Sequence, residues 1–209
     1  TWTGPEAFLD ALRRAGRGDR IVHVHREPAR RPRFADPAAS LPPALRRALA
    51  TGSSGEPGRT PIHRLYAHQA AALDALRAGE DILVPAPAAS GKSLCYTLAI
   101  LERLRADPAA RALLVFPTKA LCQDQYRGFA RLLAAAEGGD PDATGHTVLA
   151  GVYDGDTPAP LRRRLREAGR AVFTNPDMLH AALLPQHGRW AGFLGGLRFL
   201  VLDELHVYS

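Results

Sequence analysis

Asp81-Ile-Leu-Val-Pro-Ala-Pro-Ala-Ala-Ser-Gly-Lys-Ser93 is the stretch on which the reading of this chain turns. Residues 82–84 form a short apolar run, small residues follow, and Gly91-Lys92-Ser93 opens a helix. A strand, a tight turn and a helix N-terminus in that order make a phosphate cradle, or P-loop. Backbone N–H groups of the turn point at the phosphates, and the helix dipole favours their negative charge. Ala88, Ala89, Ser90, Gly91, Lys92, Ser93 and Leu94 are therefore candidate contacts for a nucleoside triphosphate such as ATP. Lys92 is placed to reach the outer phosphates, and the Ser93 hydroxyl to ligate Mg²⁺. The strict pattern has glycine six residues before the lysine, where this chain has Ala86.

Outward from that loop, the chain alternates between two periods. Helical spacing covers residues 66–78, 92–105, 119–136 and 159–168, and a further helix opens at Pro176. Apolar runs at 82–84, 112–116, 147–153, 171–174 and 197–202 read as five buried strands. Short strands separated by helices predict an α/β fold, a doubly wound parallel sheet whose ligands lie beyond the carboxyl ends of the strands. Ahead of this region, Thr51-Gly-Ser-Ser-Gly-Glu-Pro-Gly58 has linker composition. It divides a small N-terminal α/β extension and linker, residues 1–60, from the main domain, residues 61–209. The extension is expected to hold a helix over 5–15, a strand over 21–25 with His23 and His25 on one face, and a helix over 43–50.

Composition sets the outer bounds. A chain of 209 residues can bury a full core, and 27 basic against 21 acidic residues leave a net charge of +6 that permits a polyanionic partner. The two cysteines, Cys95 and Cys122, lie inside predicted helices and fit reduced, buried thiols in a cytoplasmic protein. No run approaches the eighteen apolar residues of a membrane span, and no signal peptide is visible. The chain reads as a piece of something longer.

The last apolar run ends in Asp203-Glu204. Beside the P-loop, Asp203 is placed to hold Mg²⁺, and Glu204 to orient and deprotonate the water that attacks the γ-phosphate. Lys92, Asp203 and Glu204 are thus the candidate catalytic residues, with Ser93 and Asp203 as the metal ligands.

Ala86-Pro-Ala-Ala-Ser-Gly-Lys-Ser93 resembles motif I of the superfamily 2 helicases, and Asp203-Glu-Leu-His206 their DEAD/DEAH-type motif II. Phe116-Pro-Thr-Lys-Ala-Leu-Cys-Gln-Asp-Gln125 resembles motif Ia, Thr174-Asn-Pro-Asp-Met-Leu179 motif Ic, and Leu65-Tyr-Ala-His-Gln69 the Q motif. Tyr153-Asp-Gly-Asp-Thr-Pro158 and Arg20-Ile-Val-His-Val-His25 narrow the likeness to the YprA-like (mitomycin repair factor) DNA helicases. The resemblance implies a RecA-like first lobe that acts with a second RecA-like lobe on single-stranded DNA, moving 3′ to 5′ in DNA repair. It implies that Gln69 meets the adenine edge with Tyr66 or His68 near the base. It places Pro117, Thr118 and Lys119, and likewise Thr174 and Asn175, against DNA phosphates. Asp154-Gly155 would shape a turn that brings backbone to the DNA, and His206 would link motif II to the second lobe. Where the superfamily has Thr-Gly, this chain has Ala88-Ala89, which removes a hydroxyl and implies weakened nucleotide binding. An RNA-dependent ATPase of the same superfamily, a non-hydrolysing nucleic-acid-binding module and a nucleotide kinase are the competing classes. Intact Lys92, Ser93, Asp203 and Glu204 argue against a decayed site.

Overall fold

Four of the apolar runs form one parallel sheet, because each is apolar on both faces and can be satisfied only between two layers of helices. A computed structural model describes residues 4–26, 31–51, 61–86, 90–138 and 149–208. Its elements, in chain order, are α1 (Pro5–Arg14), β1 (Phe34–Ala35), α2 (Pro43–Thr51), β2 (Leu65–Tyr66), α3 (Ala67–Arg77), α4 (Ser93–Ala106) and β3 (Arg111–Val115). They continue as α5 (Lys119–Glu137), β4 (Ala150–Val152), α6 (Ala159–Ala168), β5 (Ala171–Thr174), α7 (Pro176–Met178), α8 (Ala191–Gly195) and β6 (Leu197–Leu202). Short 3₁₀ and π-helical turns fill several of the connections.

The sheet runs β4-β5-β3-β6, with every pair parallel. Alternation along each strand splits the core in two. Ala112, Leu114, Phe116 and Phe173 meet Ile100, Leu104 and Phe129 of α4 and α5 on one face. Leu113, Val115 and Val172 meet Leu165 of α6, Trp190 and Phe193 of α8 on the other. Helices therefore cover both faces, as a doubly wound sheet requires. Cys95 and Cys122 are free and buried within it, and burial pushes the Cys122 thiol up to about 12.

The segment 82–84, expected as the fifth strand, joins no ladder in this structure. Residues 81–86 run without regular structure, and Leu83 is 79% exposed. Three residues bounded by Pro85 carry too few ladder bonds to fix a strand without a paired neighbour. β6 is correspondingly an edge strand, with Leu200 and Leu202 exposed. The expected strand over 147–153 is Ala150–Val152, its first two residues lying outside the described residues.

Two compact units divide between Pro32 and Arg33, ahead of the linker at which the sequence reading puts the boundary. Most of that linker, residues 52–60, lies outside the described residues. Residues 33–51 belong with the larger unit because their apolar side chains are used there. β1 pairs antiparallel with β2, and Leu45 of α2 is fully buried in the core beside α4 and α5. In the smaller unit, α1 starts at a proline, and Arg26 returns to Glu6 through two hydrogen bonds of 3.1 and 3.2 Å. The expected strand over 21–25 is extended without a ladder, so no strand is found among the described residues of this unit. The His23 and His25 rings do share a face, stacked 6.4 Å apart.

Candidate functional site

Gly91 has φ of +76°, a conformation that glycine adopts without strain. It also has no room for a side chain, because a Cβ there would stand 2.6 Å from the Gln69 amide nitrogen. The Gln69 amide donates to the Gly91 carbonyl at 2.9 Å, and its oxygen accepts from the Tyr66 N–H at 2.9 Å. Gln69 is 2% exposed and caps α3, so both ends of the side chain are held within the protein. The sequence reading sends this amide to adenine. In this structure the side chain braces the P-loop against the start of α3. Tyr66 stays accessible, its ring stacked with Phe34 at 5.3 Å and with His68 at 5.7 Å.

Lys92 ends the loop, and Ser93 and Leu94 begin α4. Ala88 and Ala89 lie outside the described residues, as does residue 87. The Ser90 hydroxyl is buried with no hydrogen-bond partner among the described residues. An orphaned polar atom in a loop of this kind suits a ligand that brings acceptor oxygens.

Motif II reaches the loop from β6. The Asp203 N–H continues the ladder to the Val115 carbonyl at 3.0 Å, and Glu204 then turns with φ of +51°. It is the only non-glycine residue with positive φ among the described residues, and a strained conformation of this kind clusters at functional sites. The turn carries the Glu204 carboxylate to 3.1 Å from the Lys92 ammonium. His206 lies 3.4 Å from the other carboxylate oxygen, with its ring largely exposed. Asp203 accepts from the Glu204 N–H at 3.0 Å. Burial first, then the nearby Asp203 charge, pushes the Tyr96 hydroxyl far up.

The candidate nucleic-acid residues gather at the carboxyl ends of β3, β4 and β5. Thr118 caps α5, its hydroxyl accepting from the Leu121 N–H at 3.2 Å. Lys119 is exposed and pairs with Asp156 at 2.8 Å, which raises its pKa. Pro117 lines a shallow cleft with Pro176, Val207 and Tyr208. Asp154 is buried, and burial works to raise its carboxyl. Hydrogen bonds from Thr157, the Asp156 and Thr157 N–H groups and Gln123 outweigh that effect and hold it below the usual carboxylate range. Asp154 thus shapes the turn that presents Gly155, whose Cβ position lies 3.5 Å from the Lys119 ammonium.

Two side chains point away from the role the sequence suggests. Thr174 is fully buried and donates to the Tyr153 carbonyl at 2.8 Å, so its hydroxyl is spent inside the fold. Asn175 is 5% exposed and caps α7, accepting from the Met178 N–H at 2.9 Å. Gln125 is the residue that sequence reasoning passed over: its amide oxygen accepts from the Ser93 hydroxyl at 2.6 Å. The available signal was its place between Cys122 and Phe129 on the buried stripe of α5, an unusual position for an amide.

Comparison with known proteins agrees with this geometry. The DEAD/DEAH box helicase model matches residues 66–209. The chain is 43% identical over 147 residues to the ATP-dependent helicase YprA of Bacillus subtilis, covering 70% of this chain and 19% of that protein. It is 43% identical over 144 residues to the ATP-dependent helicase HRQ1 of Saccharomyces cerevisiae, covering 69% of this chain and 13% of that one. A crystal structure of the DUF1998 helicase MrfA bound to DNA and AMPPNP superposes with a TM-score of 0.73 at 38% identity. That match covers 86% of this chain and 23% of the MrfA chain. The chain thus spans less than a quarter of each of these relatives, and its sheet is that of a RecA-like lobe. With motifs I and II brought together in space and the family match running from the Q motif to its end, the chain belongs to the DEAD/DEAH box helicases.

Proposed function

We propose that this chain is the ATP-binding lobe of an ATP-dependent DNA helicase, and that it works with a second RecA-like lobe on single-stranded DNA. The observation that carries the proposal is the Lys92–Glu204 contact, which joins two motifs 112 residues apart at 3.1 Å. A cation and a carboxylate that neutralise each other at the mouth of a P-loop are poised to separate around a polyphosphate. Ser90 to Leu94 supply N–H groups and the loop hydroxyl, Lys92 exchanges its carboxylate for phosphate oxygen, and Ser93 and Asp203 hold the metal. Glu204, released from Lys92, is left to accept a proton from the attacking water. When bound, Mg²⁺ supplies the charge that neutralises the phosphates of ATP. Tyr66 and His68, whose rings stack on each other beside Gly91, are the aromatic groups proposed to lie near the base. The domain plan proposed is a lobe over 61–209 preceded by an extension over 1–60, of which residues 33–51 pack with the lobe. Movement from 3′ to 5′ and a role in DNA repair are part of the same reading, and rest on the resemblance of the motifs to the YprA-like DNA helicases.

Nucleic acid is proposed to lie across the carboxyl ends of β3, β4 and β5. It meets the Lys119 ammonium and the N–H groups at the starts of α5 and α7, while Pro117, Asp154, Gly155, Thr174 and Asn175 hold the shape of that surface. Contacts of this kind read phosphate and sugar, so affinity should depend on length and salt and little on sequence. Single-stranded DNA binding to the chain is expected to weaken as salt rises, with a log–log slope of about −0.7 per neutralised phosphate. A flat salt response, or strong preference among oligonucleotides of equal length, would mean that bases are being read. Tighter binding of RNA than of DNA of the same sequence would favour the RNA-dependent class.

A further inference from the structure

Ser93 and Gln125 sit on different helices and share a short hydrogen bond. The Ser93 hydroxyl donates to the Gln125 Oε1 at 2.6 Å, and the Tyr96 hydroxyl lies 3.3 Å from the same oxygen. Two hydroxyls, those of Ser93 and Tyr96, thus converge on one amide oxygen. A serine hydroxyl has one proton and two lone pairs. With the proton committed to Gln125, the hydroxyl oxygen is left to act as a donor of electron pairs to a cation.

The position of Gln125 is itself fixed. Cys122 and Phe129 flank it on the buried stripe of α5 and are 1% and 2% exposed. Gln125, Ser93 and Thr97 line one wall of a cleft of about 280 Å³ between α2, α4 and α5. The amide and the Ser93 side chain line this cleft together. Being neutral, the amide accepts the proton without adding a second anion beside Asp203.

We propose that Gln125 is a positioning residue for the Mg²⁺ site: it holds the Ser93 hydroxyl so that its lone pairs face the metal of a bound nucleotide. The inference rests on the nucleotide reading of the P-loop given above. It assigns to Gln125 a part in metal affinity and none in holding the nucleotide itself.

The test is an equilibrium titration of mant-ATP binding to the chain at varied Mg²⁺ and in EDTA, for the wild type and three variants. Gln125→Met removes the acceptor at similar length, Gln125→Asn withdraws it by one methylene, and Gln125→Glu keeps an acceptor oxygen within reach. Outer-sphere partners of metal ligands commonly contribute about 10–100-fold in affinity. The half-saturating Mg²⁺ concentration is expected to rise by about that factor in Gln125→Met and Gln125→Asn, with binding in EDTA unchanged. Gln125→Glu, which keeps the acceptor and adds a negative charge, is expected not to raise it. If Gln125→Met does not fold, Gln125→Asn carries the same comparison. Equal losses with and without Mg²⁺, or no loss in either, would overturn the role of Gln125 while leaving the nucleotide site standing. Wild-type binding that ignores Mg²⁺ altogether would instead overturn the metal site, and this inference with it.

Discussion

Glu204→Gln is expected to keep nucleotide binding and to lower ATP turnover by about a hundredfold or more in a full-length protein that carries this lobe. Glutamine preserves the size of the side chain and its reach toward Lys92, but it is not a base and cannot accept the proton of the attacking water. Lys92→Ala is expected to fail one step earlier. It removes the cation that answers the phosphates and leaves the Glu204 carboxylate, now 3.1 Å from that cation, facing them unpaired. Nucleotide binding should then weaken along with turnover. Steady-state ATPase together with equilibrium nucleotide binding separates the two variants. Wild-type turnover in Glu204→Gln would remove Glu204 from the mechanism, and unaltered binding in Lys92→Ala would remove the phosphate contact.

Phe173→Ala is expected to destabilise the lobe by about 3–5 kcal/mol, the usual range for truncating a buried aromatic. Phe173 sits on β5 at 1% exposure, with Phe116, Tyr126 and Phe129 rings at 5.9, 5.6 and 5.3 Å. The substitution would empty the junction between the sheet and α5, the helix that carries both Thr118 and Gln125. Urea unfolding followed by circular dichroism measures it. A change within about 0.5 kcal/mol, the size of a surface substitution, would mean that the core closes over the gap and that this junction is not where the fold is held.

Much of this architecture could be read from residue patterns, and the exceptions share a cause. The helix over 159–168 and the strands over 171–174 and 197–202 fall where periodicity puts them. Their apolar residues are numerous enough to specify an element locally. Segments 21–25 and 82–84 have strand-like composition but no ladder in this structure, since strand formation is settled by a partner elsewhere in the chain. The pairing of Lys92 with Glu204 was legible because each motif names its own chemistry. Side-chain direction was not. Nothing local to Thr174 says that its hydroxyl turns inward to Tyr153, and nothing local to Gln69 says that Gly91 takes its amide. Gln125 was visible only as a polar residue on an otherwise apolar stripe, a signal that gains meaning once α4 is placed against α5.

Hydrogen exchange measured on the chain with and without ATP and Mg²⁺ tests the central claim most directly, because it asks where nucleotide is held without altering any residue. Peptides spanning residues 90–94 and 203–206 are expected to gain protection together when nucleotide is added, since the two motifs flank one site. The amides of Gly91, Lys92 and Ser93 should respond most. Saturable nucleotide binding that leaves both peptides exchanging as before would contradict the account and place the nucleotide elsewhere on the molecule.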